Sequence, residues 1–307
     1  MNVTVPQDVV RRLRGLGAVK TDEPLSRHTT FKTGGPADVL VIPSNVESLA
    51  EIVRICAESG LQRTVIGGGS NLLVGDRGIR GVTVCISPEA LGAAGPEFED
   101  DVVCAPASMR KEDFVSACAG RGLSGMEFMA GIPGCVGGGI IMNAGTVDGN
   151  FVDILYRIEY VDPAGEPRRL DIEPSMARYR HLDVEEGAIV TTGRFRLRRA
   201  DDAEAVRRRI RELLDERAKK HPLEYPSAGS VFKNPEGHSS WKLVNDAGLK
   251  AHRIGGAMVS DLHTNFIVNT GGARSADIRE LIEFIRETVY IKFGVTLEPE
   301  VRLIGEF

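Results

Sequence analysis

Paired cysteines, metal-ligand motifs and long apolar runs are all missing from this sequence of 307 residues. The six histidines form no HExxH or HxH pair, so we predict no metal site. No apolar run is long enough to cross a bilayer, and the first residues, MNVTVPQDVVRRLRG, lack the order of a signal peptide. We therefore expect a cytoplasmic protein that does not insert into a membrane. The cysteines are scattered without CxxC spacing, and we predict reduced packing residues at Cys56, Cys85, Cys104, Cys118 and Cys135.

An excess of basic residues is missing as well. The net charge of −5 argues against a protein that binds nucleic acid through a broad basic face. It does not exclude a small anionic ligand, because such a ligand needs only a local cluster of cations. The one basic run, VRRRIRELLDERAKK, has apolar residues at helical spacing and predicts an amphipathic helix with a charged outer face. Its predicted apolar face consists of Val206, Ile210, Leu213 and Leu214.

The pattern along the chain divides into three segments, because the chain is longer than one ordinary core. Segment 1–80 has a strand at 37–43, a helix at 44–60 that Ser44 and Glu47 would cap, and a strand that starts at 63. Segment 81–204 is rich in strands and has one helix at about 109–121. Segment 205–307 contains the basic helix, a last helix capped by Ser275 and ended by Gly294, and a terminal strand. The buried face of that last helix is predicted at Ile278, Leu281, Ile282, Ile285 and Val289.

Two glycine-dense loops follow predicted strands, one at 67–71 and one at 131–139. Backbone N–H groups without side chains can approach a pyrophosphate closely and form an anion-binding nest. Neither loop matches GxGxxG or GxxxxGK[ST], and a glycine cluster can also be a tight turn. The pattern alone therefore leaves a dinucleotide site and a pair of tight turns open.

The stretch EYPSAGSVFKNPEG, residues 224–237, surrounds Ser227 and Ser230 with proline and glycine. These residues punctuate a turn, and SVF between them predicts a short half-buried strand. Ser230 is therefore either a turn hydroxyl or a hydroxyl presented to a ligand, and the local pattern does not decide which.

Several long motifs resemble one enzyme family in the same order along the chain. They are PLSRHTTFKTGGPADVLVIP, VIGGGSNLLVGDRGIRGVTV, GMEFMAGIPGCVGGGIIMNAG, YPSAGSVFKNPEG, AGLKAHRIGGAMVSDLHTNFIVN and KFGVTLEPEVRLIGEF. Together they resemble the UDP-N-acetylenolpyruvoylglucosamine reductase family, in its shorter subclass. The resemblance implies an α+β protein with an FAD-binding fold of the p-cresol methylhydroxylase or vanillyl-alcohol oxidase type. That fold would form two subdomains, at 1–80 and 81–204, followed by a C-terminal α+β substrate-binding domain at 205–307.

The resemblance also implies a cofactor and a reaction. NADPH would give hydride to noncovalently bound FAD, and the hydride would then reach C3 of the enolpyruvyl group of UDP-N-acetylglucosamine enolpyruvate, giving UDP-N-acetylmuramate for peptidoglycan. We expect a monomer with these small-molecule partners. The resemblance places FAD contacts at Gly67, Gly68, Gly69, Ser70, Asn71, Gly131, Ile132, Pro133, Gly134, Val136, Gly137, Gly138 and Asn143. Cys135 and the GTVDGN segment at 145–150 depart from the family pattern, so contacts there are less defined.

The catalytic residues implied by the resemblance are Ser230, Arg180 and Glu300. Ser230 would donate a proton to C2, and the planar guanidinium of Arg180 suits a carboxylate or enolate. Glu300 would assist charge stabilisation or proton delivery. Leu182 stands where the family usually has a small polar residue. Substrate contacts are implied at Tyr179, Lys220, Lys233, Asn234, His263 and Asn265.

Two other functions remain as alternatives. A flavin oxidase on the same fold would keep the glycine loops but gives no reason for the C-terminal motifs SAGSVFKNP and EPEVRLIG. A noncatalytic flavin or nucleotide module would explain the glycines and leave the serine, arginine and glutamate without a task.

Overall fold

A computed structural model describes residues 5–93 and 95–307. Within this part of the chain no helix has the length and apolar composition required to cross a membrane. The α-helices are α1 Gln7–Arg14, α2 Val46–Glu58, α3 Lys111–Gly120, α4 Val136–Ile141, α5 Ala203–Lys220, α6 Ser240–Asp246 and α7 Ser275–Phe293. Short 3-10 turns lie at Leu25–Arg27, Leu91–Ala93, Glu127–Met129, Phe151–Asp153 and Pro174–Met176.

The strands are short, and most of them lie in the first two thirds of the chain. In the first part they are β1 Gly17–Pro24, β2 Pro36–Pro43, β3 Arg63–Ile66, β4 Leu72–Val74, β5 Ile79–Cys85, β6 Glu97–Glu99, β7 Val102–Pro106, β8 Leu123–Ser124, β9 Gly145–Thr146 and β10 Gly149–Asn150. They continue as β11 Leu155–Val161, β12 Pro167–Asp171, β13 Ala177–Arg178, β14 His181–Leu182, β15 Ile189–Arg196 and β16 Arg198–Arg199. The last are β17 Ser227–Ser230, β18 Arg253–Ile254, β19 Ala257–Val259, β20 Phe266–Asn269 and β21 Arg302–Ile304.

The chain forms two compact units. Unit 1 comprises the described residues through Thr21, together with Val39–Gly68 and Gly81–Glu216. Unit 2 comprises Asp22–Asp38, Gly69–Arg80 and Arg217–Phe307. The units therefore differ from three consecutive segments, because two short segments of the first 80 residues belong with the C-terminal part. The finer division at 80 and 204 stays a prediction.

Unit 1 is built around two sheets and one apolar core. One sheet has the strand order β1-β2-β5-β3, with β3 parallel to β5, and the other has the antiparallel order β12-β11-β15-β7-β6. Helix α2 supplies Leu49, Ile52 and Val53 to the core, at the spacing expected of one helix face. Helix α4 packs on β15, where Gly193 leaves room for Ile140 and a Cβ would lie only 2.7 Å from its Cδ1.

Unit 2 has its own core around the antiparallel sheet β17-β20-β19-β18. Helix α7 packs on β18 and β19. The sequence predicted its buried face correctly, since all five of those side chains are at most 1% exposed. Gly294 ends this helix with a left-handed φ of 70°, and its N–H donates to the carbonyl of Tyr290 at 2.8 Å. Strand β21 pairs in parallel with β4.

Four local predictions need correction. The N-cap of α2 is Asn45, whose side chain accepts from the N–H of Ser48 at 2.7 Å, and Ser44 lies outside the helix. The N-cap of α7 is Arg274, so Ser275 is its first helical residue. The strand predicted at SVF runs instead over Ser227–Ser230. Leu214 is 44% exposed, because the buried stripe of α5 passes through Val206 and Leu213.

The five cysteines are free thiols, and four of them are buried. Burial raises the pKa of the Cys118 thiol to about 12 and that of Cys85 to about 11. They are packing residues, as predicted. The described residues contain no group of side chains that could hold a metal ion.

Candidate active site

In unit 1 the two glycine loops touch each other. Gly67 and Gly68 follow β3, as predicted, whereas the second loop follows the 3-10 turn Glu127–Met129 rather than a strand. Its residues from Val136 onward form the start of α4. A Cβ placed on Gly68 would lie 2.9 Å from the Cα of Gly134 and 3.2 Å from the backbone nitrogen of Cys135. Real side chains do not fit at such distances, so this approach requires glycine. The tertiary structure thus joins two clusters that are more than sixty residues apart in sequence.

The outer side of these loops is backbone rather than side chain. Gly68, Gly131, Pro133 and Gly138 are exposed, and a Cβ on Gly138 would meet no atom within 4 Å. Exposed glycine backbone can approach a pyrophosphate closely, so the residues present fit a dinucleotide such as FAD.

The inner side of the second loop is fixed by main-chain hydrogen bonds. The N–H of Val136 donates to the carbonyl of Met109 at 2.8 Å, and that of Gly137 donates to Ala107 at 2.9 Å. The N–H of Ile132 donates to Met129 at 2.9 Å. These three predicted cofactor residues therefore hold the shape of the loop with their N–H groups.

Arg180 lies in the two-residue turn of a short hairpin of unit 1, where Arg178 pairs with His181. Its φ of 59° is left-handed, which is uncommon for a residue with a long side chain. The guanidinium lies over the ring of Tyr179, 4.8 Å from the centroid. Arg180 and Tyr179 therefore lie in the same turn. Tyr179 is 53% exposed.

The strands of this hairpin are held by an ion cluster on one side and an apolar anchor on the other. Asp183 accepts from the Arg178 guanidinium and from His181 Nε2, the latter at 2.9 Å. The hydrogen bond from Arg178 lowers the pKa of the Asp183 carboxyl, and His181 adds to this effect. Leu182 is 2% exposed and packs in the core of unit 1. An apolar residue at this position thus anchors the hairpin.

In unit 2 the segments of Ser230 and Glu300 lie side by side. The N–H of Glu300 donates to the carbonyl of Val231 at 2.7 Å, and Phe232 forms a bridge with Pro299. Ser230 ends β17 opposite Phe266. Both Ser230 and Glu300 are half-buried. Residues seventy positions apart in sequence are therefore neighbours through main-chain bonds.

Asn71 and Asn265 hold these segments from two sides. Asn71 Nδ2 donates to the carbonyl of Glu300 at 2.9 Å, and the Asn71 carbonyl accepts from Arg302 at 3.0 Å. The buried Asn265 accepts from the N–H of Phe232 at 3.0 Å and donates to its carbonyl at 2.9 Å. Both amides have a structural task beside any contact with a ligand. Gly69 and Ser70 precede Asn71 in unit 2, and a Cβ on Gly69 would lie 1.9 Å from the carbonyl oxygen of His28.

The other predicted substrate residues of unit 2 are spread more widely. Lys233 Nζ pairs with Glu298 at 2.5 Å, and its N–H donates to the Glu298 carbonyl at 2.9 Å. Asn234 is exposed and accepts from the N–H of Ser240 at 3.0 Å, at the start of α6. Lys220 is the exposed last residue of α5.

A group of rings in unit 2 was missed by the sequence predictions, except for His263. His221 lies 4.9 Å from Phe266 and 5.5 Å from His263, and Trp241 lies 6.5 Å from His263, between ring centroids. Burial and, to a smaller extent, the charge of Arg217 lower the pKa of His221 to about 4. Burial also lowers the pKa of His263. The group comes from separate segments, and its one local signal is His221, next to Lys220 in KKHP.

Two family models of known proteins match this chain. Residues 37–171 match the family model of an FAD-binding domain. Residues 221–304 match the model of the UDP-N-acetylenolpyruvoylglucosamine reductase C-terminal domain. A UDP-N-acetylenolpyruvoylglucosamine reductase of Lachnoclostridium phytofermentans is 42% identical and covers 100% of this chain and 99% of its own. The chain belongs to the UDP-N-acetylenolpyruvoylglucosamine reductase family.

Further relatives extend the same result. The reductase of Agathobacter rectalis is 42% identical over 100% of both chains, and that of Latilactobacillus sakei is 43% identical over 94% of both. The crystal structure of the reductase from Thermus caldophilus superposes with a TM-score of 0.78 at 33% identity, covering 93% of this chain and 98% of that one.

Family membership confirms several sequence predictions. The protein is an FAD-dependent oxidoreductase with an α+β fold that contains an FAD-binding domain and a family-specific C-terminal domain. Its function belongs to peptidoglycan precursor synthesis. The roles assigned to individual residues stay predictions.

Proposed function

We propose that the protein reduces UDP-N-acetylglucosamine enolpyruvate to UDP-N-acetylmuramate with NADPH. When bound, FAD would supply the hydride chemistry, taking hydride from NADPH and giving it to C3 of the vinyl group. A proton must then be added at C2, so that the enolpyruvyl ether becomes a lactyl ether. The protein has to bind the substrate carboxylate, stabilise negative charge that develops at C2 and supply this proton.

Ser230 supplies the proton in this proposal. A serine hydroxyl keeps its proton at neutral pH, which a general acid for C2 must do. Its main chain is defined by three features: pairing with Phe266, the left-handed Gly229 at φ 76° before it, and the hydrogen bond from Glu300 to Val231. That last bond is the observation that carries the proposal, because it makes Ser230 and the acid Glu300 neighbours.

Glu300 and Arg180 supply charge in opposite senses. Glu300 assists proton delivery or charge stabilisation beside Ser230. Arg180 binds the carboxylate or the developing enolate, since its planar guanidinium offers parallel N–H donors. The diphosphate of the substrate is proposed to meet Lys220. Tyr179, Lys233, Asn234, His263 and Asn265 provide further polar contacts.

The cofactor would be held by backbone. The glycine loops of unit 1 would bind the diphosphate of FAD through N–H groups. Gly69, Ser70 and Asn71 are proposed as further cofactor contacts. This proposal rests on the exposed glycine surface around Gly68 and Gly138.

We further propose that the protein is located in the cytoplasm and is a monomer. Light scattering after size-exclusion chromatography tests the monomeric state directly.

Two anaerobic half-reactions test the proposed function. NADPH should bleach the flavin absorbance of the purified holoenzyme, and UDP-N-acetylglucosamine enolpyruvate should then restore it without oxygen. Matched additions of UDP-N-acetylglucosamine, which lacks the enolpyruvyl group, should leave the flavin reduced. Flavin that is restored by oxygen but not by the enolpyruvyl substrate would refute the proposed substrate and favour an oxidase.

A further inference from the structure

The turn that carries Arg180 is tied to the segment after α4 by one buried side chain, Asn143. This residue is 5% exposed. Its Nδ2 donates to the carbonyl of Arg178 at 3.3 Å, and its Oδ1 accepts from the N–H of Val152 at 3.0 Å. The side chain thus connects three segments of unit 1.

The two partners fix the orientation of the Asn143 amide. A main-chain carbonyl requires a donor and a main-chain N–H requires an acceptor, so a flipped amide would face both with the wrong group. The main chain of Asn143 is left-handed at φ 37°, and its own N–H donates to Ile140 at 2.9 Å. Asparagine is among the few residues that adopt this conformation readily. The orientation of the Asn143 side chain and the conformation of its main chain are therefore both fixed by these contacts.

The Arg180 hairpin needs such a tie because it is very short. Each of its strands has two residues, which gives few cross-strand hydrogen bonds. The left-handed Arg180 adds a conformational cost, and such residues persist only where the surroundings fix them. Leu182 anchors the second strand in the core. Asn143 holds the first strand at Arg178, two residues before Arg180.

We propose that Asn143 is a positioning residue that fixes the Arg180 turn and so defines the direction of its guanidinium. This inference rests on the proposed role of Arg180. The sequence prediction that Asn143 contacts FAD stays a separate prediction. The two hydrogen bonds give the side chain a structural task in the hairpin.

Asn143→Asp tests this with little change in shape. Aspartate tolerates the left-handed main chain and still accepts from Val152, but its ionised carboxylate cannot donate to the Arg178 carbonyl. We expect turnover with the enolpyruvyl substrate to fall about 10-fold to 100-fold, the factor for one buried group left unsatisfied. The Kd for FAD should stay within about threefold, because the flavin is held elsewhere. Asn143→Gly, which also accepts this main chain and adds no charge, replaces it if the aspartate variant fails to fold.

A double-mutant cycle and a control variant isolate the mechanism. In an Arg180→Ala background Asn143→Asp should add less than about twofold, because its effect passes through Arg180. The control Ser175→Ala, at an exposed residue that precedes the hairpin, keeps Arg178, Asp183 and Leu182 intact, so turnover should stay within about threefold. Losses that multiply in the double variant, or a loss of FAD affinity equal to the loss of turnover, would overturn the inference.

Amide hydrogen exchange separates this inference from the proposed function. Exchange of residues 177–182 should accelerate in Asn143→Asp whatever substrate the enzyme uses, since release of the hairpin is a property of the fold. Unchanged amide exchange at residues 177–182 would refute the claim that Asn143 holds the hairpin in place. A wild-type enzyme that does not turn over the enolpyruvyl substrate would instead refute the proposed function.

Discussion

Unit 1 and unit 2 expose different chemical groups at their predicted sites. In unit 1 the glycine loops expose backbone, and side chains are excluded by close approaches such as Gly68 to Gly134. In unit 2 the predicted catalytic residues Ser230 and Glu300 lie on segments that are held together by hydrogen bonds between main-chain groups. Ligand binding by exposed backbone depends on steric fit, whereas the function of a pair of side chains depends on the chemistry of each group. Variants in the two units should therefore fail in different ways.

The largest effect is expected from Ser230→Ala in unit 2. Loss of a positioned general acid costs about 10²–10⁴-fold in rate, and here it should slow only the restoration of flavin absorbance by substrate. Reduction of the flavin by NADPH and the Kd for FAD should be unchanged. Stopped-flow absorbance measures both half-reactions.

Ser227→Ala is the matched control, because Ser227 lies on the same strand and is predicted to be a plain turn residue. It should leave both half-reactions within about threefold of the wild type. Equal losses of both half-reactions in Ser230→Ala would instead make Ser230 a support for the flavin.

In unit 1 the sharper test is Gly68→Ala. The added Cβ would lie 2.9 Å from the Cα of Gly134, so the two loops must separate. Overpacking of this kind costs about 1–3 kcal/mol, and we expect the Kd for FAD to rise about 5-fold to 150-fold. Turnover at saturating FAD should largely recover. Flavin fluorescence quenching measures the affinity.

Gly120→Ala, at a glycine of unit 1 outside the predicted cofactor contacts, provides the comparison. Nothing lies within 4 Å of the added Cβ, so the loops keep their approach. If the two variants weaken FAD to the same extent, steric fit between the loops does not determine cofactor binding.

The smallest effect concerns acid stability in unit 2. His221 has its pKa lowered from 6.5 to about 4, so between these values the unfolded chain binds a proton that the native protein does not. Stability from this residue is therefore full above pH 6.5 and falls as the pH drops toward 4. His221→Gln should reduce the loss in urea midpoint between neutral pH and this acidic range.

Trp241 is the single tryptophan and lies 6.5 Å from His263, so its fluorescence reports on this group of rings. His238→Gln, at an exposed histidine, is the control and should lose as much stability on acidification as the wild type. An identical acid response of His221→Gln and wild type would remove His221 as the cause.

Local patterns predicted many elements, since periodicity and glycine act over a few residues. The buried face of α7 and its end at Gly294 follow from spacing and from the left-handed conformation that glycine permits. The caps at Asn45 and Arg274 were missed, because neighbouring residues compete for the same cap and the main-chain geometry selects one.

The sequence by itself determined the family, because family membership depends on motifs in order. Its candidates for catalysis, Ser230, Arg180 and Glu300, and for the cofactor, the two glycine loops, stay predictions. Only the tertiary structure decided which groups are neighbours and which polar side chains support the fold. It joined Gly68 to Gly134 and Glu300 to Val231, and it assigned Asn143 and Asn265 to main-chain partners. The physical reason is that these contacts link distant segments, so their geometry depends on packing that no local pattern records.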